Sequence, residues 1–233
     1  TDTESFWYRD ASGWTNLLSP KTGWSVTGNN AGPSDFIGTI NNQSLLFKAN
    51  NLQSGKIDLS LNNTFWGYKA GELITSGSSN TGLGGNALQN NSSGSNNSAL
   101  GEYALNLNIT GFNNTAIGQS SMFGNETGTN NTATGVNSLS SNTSGSANSV
   151  VGYTAMYDNQ SGSFNSVLGR NAATYNTTGS NNTAIGSDAL FSNKAGSNAT
   201  AVGFGAMENT NITTTPFNNT NVAVGYQALR GST

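Results

Sequence analysis

The chain has no cysteine and no histidine, and only 8% of its residues are charged. Without cysteine there is neither a disulfide framework nor a thiolate zinc site. With histidine also missing, the commonest general bases and nucleophiles are gone. Only 11 acidic residues exist, and Glu72, Glu102, Glu126, Asp158, Asp188 and Glu208 fall in variable columns with no obvious pair, so a two-carboxylate glycosidase is not predicted. Net charge is −3 and the basic residues are scattered, which is not the footprint of a nucleic-acid binder. No apolar run approaches membrane-spanning length and no signal peptide heads the sequence. The reading is of a segment with no catalytic site, no cofactor, no metal, no nucleic-acid partner and no membrane span.

What the chain has in quantity is glycine and asparagine at fixed intervals. Glycine recurs every 17 residues from Gly67 through Gly84, Gly101, Gly118, Gly135, Gly152, Gly169 and Gly186 to Gly203, and Gly225 follows after 22. A second glycine column, Gly77 to Gly196, runs ten residues behind the first. Such a period is the signature of a solenoid. Seventeen residues with two glycines cannot hold two helices, whereas two short strands and two turns fit one coil. The predicted fold is all-β, a parallel β-roll of about ten 17-residue coils over residues 62–233, behind a β-rich cap at 1–61.

The residue before each main glycine is apolar almost throughout, at Trp66, Leu83, Leu100, Ile117, Val151, Leu168, Ile185, Val202 and Val224, with Thr134 the exception. The residue before that is small or apolar too. Neighbours on a strand face opposite ways, so both sides of this strand should be dry. One side can be the coil's own interior; the other asks for another copy of the chain. Because small side chains let backbones approach, the interchain contact is placed on Ala99, Ala116, Ala133, Val150, Val167, Ala184 and Ala201. A second strand is expected where Ala and Leu or Met follow the glycine by three and four residues, as at Ala104-Leu105. The Thr/Ser column (Thr115 and its equivalents) shares a face with the large apolar column. Its burial is expected, and on that ground ice binding by a flat threonine face is set aside.

Asparagine stands four residues before the glycine (Asn63 to Asn182) and again seven after it (Asn91 to Asn193). Stacked side-chain ladders at the corners explain both columns, and the glycosylation sequons among them follow from the period. The leader carries Trp7, Trp14 and Trp24, read as an aromatic cap over the first coil, with a hairpin turning near Asp10–Gly13. Candidate strands follow at 24–28, 36–39, 44–49 and 56–61. Two features suggest surface contacts. Phe123, Tyr157 and Phe191 share one column in alternate coils, and the last coil carries an insertion near 209–217 containing Ile212 and Phe217.

Repeats such as Gly111-Phe112-Asn113-Asn114-Thr115-Ala116-Ile117-Gly118 resemble head repeats of trimeric autotransporter adhesins, the YadA-like head. They are also similar to repeats in phage tail-fibre shafts and in large surface proteins of Bacteroidetes bacteria. The leader, with Trp24-Ser25-Val26-Thr27-Gly28-Asn29 and Asn63-Thr64-Phe65-Trp66-Gly67, resembles the segment that precedes such repeats in that last group. The resemblance implies a left-handed parallel β-roll assembled as a homotrimer. It further implies an extracellular, non-enzymatic fibre or adhesin module on a cell surface or virion, with a glycan or protein receptor. The alternative setting is a phage or injection-system tail fibre that recognises a host receptor.

Overall fold

The computed structural model describes residues 42–231 together with the backbone of 7–10 and 13–16. It falls into two compact units, residues 1–40 and 41–233. In the first, β1 (Trp7–Asp10) and β2 (Gly13–Asn16) pair antiparallel with Asp10 opposite Gly13, the hairpin read from the sequence. The strands expected at 24–28 and 36–39, and the side chains of Trp7, Trp14 and Trp24, lie outside the described residues.

The second unit opens with a hairpin of β3 (Leu45–Ala49) and β4 (Leu52–Asp58). Its two-residue turn is Asn50-Asn51, both at positive φ (48° and 60°), the conformation that a type I′ hairpin turn demands and asparagine tolerates. β4 pairs antiparallel with β5 (Asn63–Trp66), so the hairpin is the antiparallel start of the sheet that the coils continue. Then come β6 (Thr81–Leu83), β7 (Ser98–Leu100), β8 (Thr115–Ile117), β9 (Thr132–Thr134), β10 (Ser149–Val151), β11 (Ser166–Leu168) and β12 (Thr183–Ile185). A short β13 (Gly196–Ser197) precedes β14 (Thr200–Val202), and β15 (Phe217–Asn218) precedes β16 (Val222–Val224). From β5 onward the long sheet is parallel and in uniform register; Ala116, for example, lies between Ala99 and Ala133. The described residues contain no helix, and their stacked coils form a β-solenoid of about nine turns.

The interior is narrow. Alanine or valine at the middle of the strands from β7 to β12 meets Leu or Met from the opposite wall, and Phe65 and Gly82 hold that place in β5 and β6. Ala116, Ala133, Met122, Leu139 and Met156 are all fully buried. The opposite wall is not the second strand expected from the sequence. It is a continuous run of tight turns, with the large core residue itself in the left-handed region, as at Leu105 (φ 50°), Met122 (φ 49°) and Leu139 (φ 52°). A residue two before it is left-handed as well, for example Tyr103 (φ 58°) and Asn137 (φ 56°). Such backbone costs non-glycine residues roughly 1 kcal/mol each. It recurs because it is what folds Ala and Leu inward within so few residues. Each turn also hydrogen-bonds to the next coil, as when Leu105 N donates to Ser121 O at 3.0 Å.

Two buried asparagine ladders hold the corners. In the first, Asn114 Nδ2 donates to Gly128 O (2.9 Å), while Asn114 Oδ1 accepts from the backbone N of Asn131 (3.0 Å). In the second, each Nδ2 donates to the Oδ1 one coil back and also to a glycine carbonyl of its own turn, as Asn142 does to Asn125 (2.7 Å) and Gly145 (3.0 Å). Glycine is required where coils touch backbone to backbone. Gly118 has φ 127°, and a Cβ there would stand 2.5 Å from Gly135 O.

Candidate interaction surfaces

Three surfaces bear on function: the parallel sheet, the turn wall opposite it, and the insertion in the last coil. On the sheet, alternation decides everything. The middle residue of each strand points inward, so Ala99, Ala116, Ala133, Val150, Val167, Ala184 and Ala201 line the coil's own interior, none more than 3% exposed. The interchain contact placed on them is therefore corrected. The lumen admits only small side chains there because Leu and Met fill it from the other wall. The outward column is the large one: Leu83, Leu100, Ile117, Val151, Leu168 and Ile185 are 37–51% exposed.

The Thr/Ser column shares that outer face. Thr81, Ser98, Thr132, Ser149 and Ser166 are exposed and Thr115, Thr183 and Thr200 half-buried, where burial was expected. The face is thus a regular grid of hydroxyl and aliphatic columns without a charged residue. Strands repeat every ~4.8 Å along the axis, and the two columns stand ~6.7 Å apart across it. At the N-terminal end Phe47 packs on Trp66, the aromatic first member of this column, with ring centroids 4.6 Å apart, and Trp66 stays 41% exposed.

On the opposite wall, the column holding Phe123, Tyr157 and Phe191 alternates strictly. It reads Asn106, Phe123, Ser140, Tyr157, Thr174, Phe191 and Glu208 in successive coils. Phe123 and Phe191 are half-buried and Tyr157 is exposed. A turn residue of one coil stands beside the member of this column 20 residues later. Tyr103 meets Phe123 edge-on at 6.3 Å, and Thr174 Oγ1 donates to Thr154 O at 3.2 Å. Tyr175 meets Phe191 edge-on at 4.9 Å. Lower on this wall, Asp158 is half-buried and its carboxyl is raised above the usual range by desolvation.

The insertion divides in two. Residues 212–216 are exposed, Ile212 at 68%, as the sequence suggests. Phe217 instead turns inward as part of β15, pairing with β13. Its ring lies over Gly196, where in the other coils the next glycine carbonyl and the next ladder amide would sit. It therefore stops the second asparagine ladder and leaves Asn193 Oδ1 without a hydrogen-bond donor. Phe217 is a plug rather than a surface-binding residue.

Among the described residues no three acidic side chains come together as a cation site. The ion pairs there are Lys56–Asp58, Lys69–Glu72, Arg170–Asp188 and Glu208–Arg230, spread along the rod. No helix of the described residues is long and apolar enough to cross a membrane. No family model, curated protein or solved structure matches the chain.

Proposed function

We propose that this chain is a non-enzymatic, extracellular fibre or adhesin module, a left-handed β-roll that assembles as a homotrimer and attaches to surfaces multivalently. The observation that carries this reading is the charge-free sheet face. An aliphatic column is exposed on six of the seven strands β6 to β12, Thr134 being the exception, and a continuous apolar stripe of this kind marks an interaction surface. Three copies packed sheet to sheet around a common axis would cover it along the whole rod. The turn walls then face outward, and a rod displaying them three times over suits weak contacts multiplied by number. The lack of histidine and cysteine, and the spread of the carboxylates, favour an attachment role over a catalytic one. The same reading accommodates a tail-fibre segment, whose receptor contact would use the same outward walls.

The test is the solution mass with paired variants. The wild type is expected at trimer mass at micromolar concentration. Leu100→Asp with Ile117→Asp, both on the outer column, should give a folded species of lower mass. A folded wild-type monomer would overturn the assembly. In that event the exposed hydroxyl grid favours a second reading, an ice-binding face, read directly as thermal hysteresis.

A further inference from the structure

We infer that the turn wall carrying Phe123, Tyr157 and Phe191 binds an extended β-1,4-linked glycan laid along the rod axis. The inference deepens the attachment reading by naming the class of ligand.

The physical argument starts from the interval. The three rings occupy one column in every second coil, with Ser140 and Thr174 between them. Successive coils stand ~4.8 Å apart, so the rings recur about every 9.6 Å in a straight line. A β-1,4-linked chain of pyranoses turns each sugar over relative to the last. The same sugar face therefore returns every second residue, at a distance that closely matches two coils. One ring per disaccharide is the arrangement that lets an apolar sugar face rest on each aromatic while the intervening sugar spans a coil whose column residue is small, the buried Ser140 or the half-buried Thr174. Stacking supplies affinity, and hydrogen bonds at the ring edge supply orientation.

Those edge groups are present. The 20-residue offset that brings Tyr103 to Phe123 also stands Asn137 beside Tyr157 and Asn171 beside Phe191. Asn137 is half-buried in the left-handed conformation, and its side-chain amide makes no hydrogen bond among the described residues. It offers one donor group and one acceptor to a sugar hydroxyl. Asn171 bridges Thr154 and Asp188 at 2.6 and 2.9 Å, a hydroxyl–amide–carboxylate row along the same edge. The rings need no rearrangement to serve. Phe123 and Phe191 are braced edge-on by Tyr103 and Tyr175, which fixes their planes before any ligand arrives.

The test is depletion of the intact protein from solution by particles of cellulose and of chitin, with granular starch as the α-linked control. Binding to at least one β-linked particle is expected, with little to starch and with competition by soluble β-1,4 hexasaccharide. Tyr157→Ala should weaken binding about tenfold and Tyr157→Phe should not. The decisive variant moves the ring by one coil, Ser140→Tyr with Tyr157→Ser, keeping composition but breaking the interval; it should bind like Tyr157→Ala. No depletion by either β-linked particle, equal depletion by starch, or undiminished binding by the shifted variant would each overturn the inference. If a variant fails to fold, competition on the wild type decides: displacement by the α-linked oligosaccharide as readily as by the β-linked one overturns it. A trimer that ignores these glycans would leave the fibre reading standing; a monomer that binds them would leave this one.

Discussion

Asn125 Nδ2 donates to Asn108 Oδ1 at 2.7 Å across two coils, with both side chains fully buried. The same link continues from Asn91 to Asn193, so each asparagine is satisfied only because its neighbours are. Replacing Asn125 with Ala would leave Asn108 Oδ1 without a donor, leave Gly128 O with Asn114 Nδ2 alone, and take from Asn142 one of its two acceptors. The expected cost is about 2–4 kcal/mol. Asn193→Ala should cost less, because Asn193 Oδ1 already lacks a partner beneath the Phe217 ring. Chemical denaturation of the two variants checks the order; equal losses would contradict the ladder account.

At Gly118 a methyl group has nowhere to go. Its Cβ would press into the carbonyl of Gly135, and φ 127° is closed to L side chains. Gly118→Ala is expected to destabilise by at least ~3 kcal/mol, seen as a large fall in melting temperature. Gly85→Ala is the control, since only Glu102 Cγ, at 3.9 Å, approaches a Cβ there.

The left-handed residues give a prediction of the opposite sign. Ala147 (φ 57°) occupies a column otherwise held mainly by asparagine, including Asn113, Asn130 and Asn181. Ala147→Asn or Ala147→Gly should therefore stabilise by about 0.5–1 kcal/mol. Leu139→Ala, at a left-handed core position, should cost ~2–5 kcal/mol through the cavity it leaves.

Two carboxylates give opposed pH responses. Burial alone would raise Asp58, but the Lys56 ammonium at 2.8 Å and hydrogen bonds from Ser60 and Leu61 hold its carboxyl below the usual range. Its contribution is present above the unfolded value and lost as pH falls through the folded one. Asp158 is the reverse: desolvation raises it, so ionisation begins to cost stability as pH rises past the unfolded value and costs it fully above the folded one. Asp58→Asn should lower the melting temperature at pH 7, and Asp158→Asn should raise it. Both differences should shrink towards pH 3.

The period, the coil length and the corner asparagines were legible because each follows from a column of one residue type. Which apolar column faces inward was not. Alternation says that Ala116 and Ile117 point opposite ways, but choosing between them needs the width of the lumen. That width is set by Met122 and Leu139 on the far wall. The far wall reads as a strand in the sequence because Ala-Leu is apolar. The contrary signal was one position earlier, where Asn86, Asn137, Asn171 and Gly205 mark a residue that must tolerate left-handed backbone. The inward turn of Phe217 had no counterpart in the repeat to reveal it.

The uniform register has a consequence for length. Because each strand, ladder amide and turn bonds only to the coil before and the coil after, removing one full period between Gly84 and Gly186 rejoins equivalent backbone and ladder partners. Removing fewer residues would throw every column out of line. The coil stack is in effect a ruler graduated in steps of ~4.8 Å, whose reach can be reset by whole units without redesigning its backbone and ladder contacts.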